Sequence, residues 1–151
     1  MKKQIPLHPK PIVAGAPSKV AMSFNHPIKV LVIEGDHNVR SSIRLSFVAS
    51  GDFDLEFCSS SEEAINTIPE FCPDVVSLDA SLPTAVGQLA LRSLSGLSEM
   101  RGIPIVYATN GCPQSDMESL FNLGATSVVS RPYDPFAVPG QVIREWESVC
   151  A

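Results

Sequence analysis

The residues with the most chemical potential in this chain are Glu34, Asp36, Asp79, Ser81, Thr109 and Arg131, three acids, two hydroxyls and one cation. Asp79 ends a short apolar run, Val75 to Leu78, and a loop follows it at once. An aspartate in such a place can attack phosphorus to form an acyl phosphate, hold a metal, or cap the next helix. Phosphoryl acceptance would also need oxygen ligands for a divalent cation, and a hydroxyl and a cation for the phosphoryl oxygens. The six residues could meet those needs only if the fold brings them to one edge.

The elements that would do so are legible in order. Ile28 to Ile33 reads as a near-continuous apolar strand ending at Glu34-Gly35-Asp36. Val39, Ile43 and Phe47 recur at four-residue spacing, which predicts a helix capped by Asp36 and closed near Gly51. A short strand at Leu55–Phe57 precedes a capping box from Ser60 to Glu63, whose helix buries Ala64, Ile65, Ile68 and Phe71. The third strand is Val75 to Leu78. A third helix is read between 86 and 100 on Leu91, Leu94 and Leu97, and Ile103 to Ala108 is the fourth strand. Ser115 or Asp116 opens a helix bearing Met117, Leu120 and Phe121, with Gly124 as its stop. Ser127 to Ser130 is the fifth strand, and a last helix carries Val138, Val142, Trp146 and Val149 on one side. Alternating strands and helices predict an α/β fold, a doubly wound five-stranded parallel sheet with helices on both faces. Ligands in such sheets sit at the carboxyl ends of the strands, where the six residues fall.

Composition narrows the function. At 44% hydrophobic and 18% charged residues, 151 residues fit one globular domain. The net charge of -5 is unevenly placed: residues 1–27 hold four lysines and no acid, so the remainder carries -9. That acidic body argues against nucleic-acid binding. Cys58, Cys72, Cys112 and Cys150 are scattered without a C-x-x-C pair, so reduced thiols are expected rather than zinc or a disulfide framework. No run is long enough to span a membrane, and prolines and Lys19 break up any signal-peptide pattern, so a cytoplasmic location is expected. Residues 1–27, with five prolines, read as a flexible extension, and 28–151 as the domain.

Residues 28 to 149 resemble the receiver domain of two-component response regulators. The matching pieces are Val30 to Asp36, Asp74 to Pro83 with Gly87 beyond, Ile103 to Thr109, and Gly124-Ala125 through Arg131-Pro132-Tyr133. Glu34 to Asp79 spans 45 positions, Asp79 to Thr109 another 30, and Thr109 to Arg131 another 22, in keeping with the family. The resemblance implies the flavodoxin-like strand order 2-1-3-4-5, for which the general rule itself cites a receiver as an example. It implies that Asp79 is the phosphoacceptor and Thr109 the switch hydroxyl. It also implies that Glu34 belongs to the acid pair, that the Ser81 carbonyl is a metal ligand, and that a cis bond joins Arg131 to Pro132. The implied role is a phosphoacceptor in a phosphorelay, not an enzyme beyond self-catalysed phosphorylation and dephosphorylation. Its partners would be a histidine kinase or phosphotransfer protein, a downstream protein, and, as an open possibility, a second copy of the chain. With nothing after Ala151, a stand-alone receiver is expected.

Three positions depart from the family. Gly35 stands where the second acid belongs, so Mg2+ binding is expected to be weakened. Asp36, one step on, can serve as a helix cap instead. Arg131 replaces a lysine with a broader planar fork, and Val128 replaces an aromatic. A phosphorylation-independent pseudo-receiver, acting as a protein interaction module, is the alternative these departures support.

Overall fold

Ile28–Ile33 forms β1 because its apolar side chains alternate between two faces that are both covered by helices. Leu31 and Ile33 enter one core and Val30 and Val32 the other. The computed structural model describes residues 26–80, 84–109, 114–130 and 136–150. In them β1 is followed by α1 (His37–Ser50), β2 (Phe53–Cys58), α2 (Ser61–Phe71), β3 (Val75–Ala80) and α3 (Thr84–Ser95). A 3-10 turn (Ser98–Met100), β4 (Ile105–Thr109), α4 (Gln114–Asn122), β5 (Ser127–Ser130) and α5 (Ala137–Cys150) complete the order. All strand pairs are parallel, as the alternation predicted, and the sheet order is β2-β1-β3-β4-β5, as the resemblance implied.

One core lies between the sheet and α2, α3 and α4, around Ile68, Leu91, Leu94, Tyr107 and Leu120. The other lies under α1 and α5, where Phe47 and Trp146 are fully buried against Val30, Val75 and Val106. Phe47 meets Phe53 edge-on at 4.9 Å between ring centroids, a geometry the aromatic quadrupole favours. Cys58 closes β2 inside the first core, and burial pushes its thiol pKa up, so it stays protonated and serves as packing.

Some boundaries and faces differ from expectation. α3 stops at Ser95, and Leu97 begins the separate 3-10 turn instead of a further helical turn. β2 is longer than expected because all six of its residues find partners on β1. β4 starts only at Ile105, since Pro104 has no N–H to give the ladder, although its carbonyl accepts from Val76 N at 3.0 Å. Phe121 is 45% exposed: Leu120 already faces the core, and the next helical residue lies about 100° round. On α5, Cys150 rather than Val149 packs against the core.

Candidate functional site

The last β1–β3 pair is Ile33 with Leu78, so Glu34 and Asp79 stand level just beyond it on neighbouring strands. Both are buried, at 2% and 5% exposure, unusual for carboxylates unless they are held by partners. Asp79 pairs with Ala108 on β4, which places Thr109, half-buried, one step further along that strand's end. Ser130 pairs with Thr109 in turn, so β5 ends at the same edge. Glu34, Asp79 and Thr109 therefore lie at one edge of the sheet. Ser81, Arg131 and Pro132 lie outside the described residues.

Asp36 takes the other course open to it. Its Oδ1 accepts from Asn38 N at 2.8 Å and Val39 N at 3.2 Å, and the side chain is exposed as the N-cap of α1. Its own N–H donates to Glu34 Oε2 at 2.8 Å, which holds the buried carboxylate in place. Asp36→Ala is expected to cost about 1 kcal/mol of stability, the usual value of such a cap. The urea midpoint should fall at unchanged m-value, while metal affinity stays the same; a fall in metal affinity would assign the carboxylate to the site instead.

Two features of the site escaped the sequence. Arg40 spans it from α1: its Nε donates to the Glu34 carbonyl at 2.8 Å, and its Nη2 donates to Ser59 Oγ. A cation one turn into a helix is ordinarily read as a solvated face, and only the fold reveals what it ties together. The second feature is a cleft of about 390 Å3 between the first turn of α2 and α3, lined by Glu34, Gly35, Ser59, Glu62, Asp79 and Leu89 among others. The capping box was its one signal. Ser60 Oγ accepts from Glu63 N at 3.2 Å as expected, but Glu63 Oε1 accepts from Ser59 N at 2.6 Å, one residue earlier than the standard pattern.

Glu34 and Asp79 stand at the edge where Mg2+ would bind, but Gly35 supplies no third carboxylate beside them. Magnesium takes six oxygens in near-octahedral order, usually with one or two carboxylates free to turn toward it. Here Gly35 offers none, Asp36 is engaged with α1, and Glu34 is tied to the Asp36 N–H. No group of three or more His, Cys, Asp or Glu side chains poised for a metal occurs among the described residues. No helix among them is long and apolar enough to cross a membrane.

Comparison with known proteins bears on the same edge of the sheet. The response regulator Rre1 of Synechocystis is 26% identical over 109 residues, 72% of this chain and 47% of Rre1. The response regulator MprA of Mycolicibacterium vanbaalenii is 28% identical over 107 residues, 71% of this chain and 45% of MprA. The chain thus spans about half the length of the curated relatives it matches. The fold is shared with the chemotaxis response regulator CheY4 of Vibrio cholerae, at a TM-score of 0.65 and 19% identity, covering 82% of this chain and 98% of that one. It is shared too with the receiver domain of a Syntrophus aciditrophicus signal transduction histidine kinase, at 0.69 and 21%, covering 80% and 91%. The pattern of the response regulator receiver domain matches residues 30–140, from the middle of β1 into α5, with Asp79 at the end of the central strand. Strand order, level acids and family pattern agree, and the chain belongs to the response regulator receiver domain family.

Proposed function

We propose that the chain takes a phosphoryl group onto Asp79 from a histidine kinase or phosphotransfer protein and signals through a protein partner. The observation that carries this reading is the position of Asp79: buried at the end of the central strand, level with Glu34, and lining the cleft through which a donor would approach. A carboxylate oxygen of Asp79 attacks phosphorus, the new O–P bond makes an acyl phosphate, and the donor's bond to phosphorus breaks, its electron pair leaving with the donor. The added group brings about two negative charges and biases a two-state surface, formed in this reading by α4, β5 and α5. In this reading the chain is a phosphoacceptor rather than a classical enzyme, with residues 28–151 as its receiver unit.

Incubation with a small phosphodonor and Mg2+, followed by intact mass measurement, tests the reading. A gain of one phosphoryl group that Asp79→Asn abolishes is expected; wild type that never gains it overturns the proposal. A second reading, a phosphorylation-independent interaction module, draws on Gly35 and on the capping role of Asp36. Under it, Asp79→Asn leaves partner binding unchanged.

A further inference from the structure

The cleft beside Asp79, at about 390 Å3, falls within the range of about 300–1,000 Å3 in which proteins seat a ligand-sized group. One wall is the outward face of α3, where Val86 and Leu89 are 46% and 62% exposed and Ala90 is buried behind them. Across from it, Glu62 stands exposed on the first turn of α2, and Glu34 and Asp79 lie on the inner side. No lysine or arginine is among the described residues that line it. An apolar wall facing acids suits a lysine side chain, whose methylene stem covers the wall while its ammonium meets the carboxylates.

The chain itself carries the complementary group. Residues 1–27 hold Lys2, Lys3, Lys10 and Lys19 without an acid, against -9 on the remainder. Leu7, Ile12, Val13 and Val20 neighbour the last two lysines. The route is long enough: the cleft lies one strand length from Ile28, six residues or about 20 Å. Lys19 precedes Ile28 by nine residues, an extended reach of about 30 Å, and Lys10 by eighteen, about 60 Å.

We propose that the segment from Leu7 to Val20 docks in this cleft in cis, with Lys10 or Lys19 over Glu62 and the apolar residues against Val86 and Leu89. The contact does not depend on whether Asp79 takes a phosphoryl group. A chain that forms it without ever labelling keeps this inference and loses the phosphoacceptor reading.

Zero-length carbodiimide coupling of the full chain, with peptide mapping of the monomer fraction, tests it. Asp52 and Asp54 are the internal control: both are exposed and lie at the end of the sheet where the segment joins β1, opposite Ile28 and Lys29. Coupling of Lys10 or Lys19 to Glu62 is expected to exceed coupling to Asp52 or Asp54 at least threefold, and to weaken in high salt. Leu89→Ser, at an exposed position, should lower the Glu62 coupling about threefold and leave the Asp54 coupling unchanged. Coupling concentrated on Asp52 and Asp54, spread evenly, insensitive to Leu89→Ser, or confined to a dimer that dilutes away would overturn the proposal.

Discussion

Gly35→Asp is expected to raise Mg2+ affinity about tenfold or more, the equivalent of about 1.4 kcal/mol. The backbone permits the change, since Gly35 does not adopt the left-handed conformation found at Gly102 and Gly124. The space permits it as well: a Cβ at position 35 meets only the Ser59 carbonyl, at 3.5 Å, an ordinary van der Waals distance. The new carboxylate would join Glu34 and Asp79 along the same cleft, and hard divalent cations gain affinity with each added charged oxygen. Without metal the third charge repels the other two, so the variant should lose about 1 kcal/mol of stability. Saturating Mg2+ should restore that loss by linkage, since the ion binds only the folded form. Calorimetric titration and melting with and without Mg2+ check both halves. The second half separates a coordinating carboxylate from one that turns to solvent, which would show neither the loss nor the recovery. Equal affinities in wild type and variant would mean that position 35 does not limit metal binding. If the variant also labels faster from a small phosphodonor, Gly35 is what slows the chemistry at Asp79.

How much of this site could be read from sequence depended on whether a residue's role was local. Asp36 as a cap and Ser60 as the start of a capping box follow from hydrogen bonds within three residues, and both hold. The parallel sheet was legible because alternating elements leave few topologies, whereas its strand order came from the family resemblance, and Asp79 drew notice because it ends a strand at the edge where ligands bind. Arg40 and the cleft were not legible. The Arg40–Ser59 bond joins residues nineteen apart, and the cleft exists only because α2 and α3 leave space between them. Boundaries were lost where tertiary pairing decided them: β2 runs as far as β1 offers partners, and α3 ends at Ser95 although Leu97 continues the apolar spacing. The strand-end carbonyl of Ser81 and the Arg131–Pro132 pair keep only the support of the family resemblance.

Gly124→Ala is expected to be the most damaging small substitution, costing about 3 kcal/mol. Gly124 follows α4 with φ +121°, a conformation that L side chains rarely adopt, and forcing alanine into it costs on the order of 1–3 kcal/mol. Sterics add to this, because a Cβ there would lie 2.5 Å from Ser95 Cβ on α3. Ser95 has little freedom to retreat. Its Cβ is fixed to the helix backbone, and its Oγ donates to the Leu123 carbonyl at 2.7 Å, so relief requires α3 and the α4–β5 turn to separate. That turn also sets β5 in register: Ala125 N donates to Leu120 O at 3.0 Å, and Thr126 N to Ile105 O at 2.8 Å. Against a total stability of roughly 5–15 kcal/mol, the melting temperature should fall by about 10 °C. A double-mutant cycle with Ser95→Gly separates the two causes. Removing the Ser95 side chain relieves the collision but not the backbone strain, so the pair should couple favourably by about 1–2 kcal/mol and recover only part of the loss. Zero coupling would place the whole cost in the backbone of Gly124. The site chemistry should survive: well below its melting temperature, Gly124→Ala should label at Asp79 at the wild-type rate, because the turn supports the far side of β5 and touches neither acid.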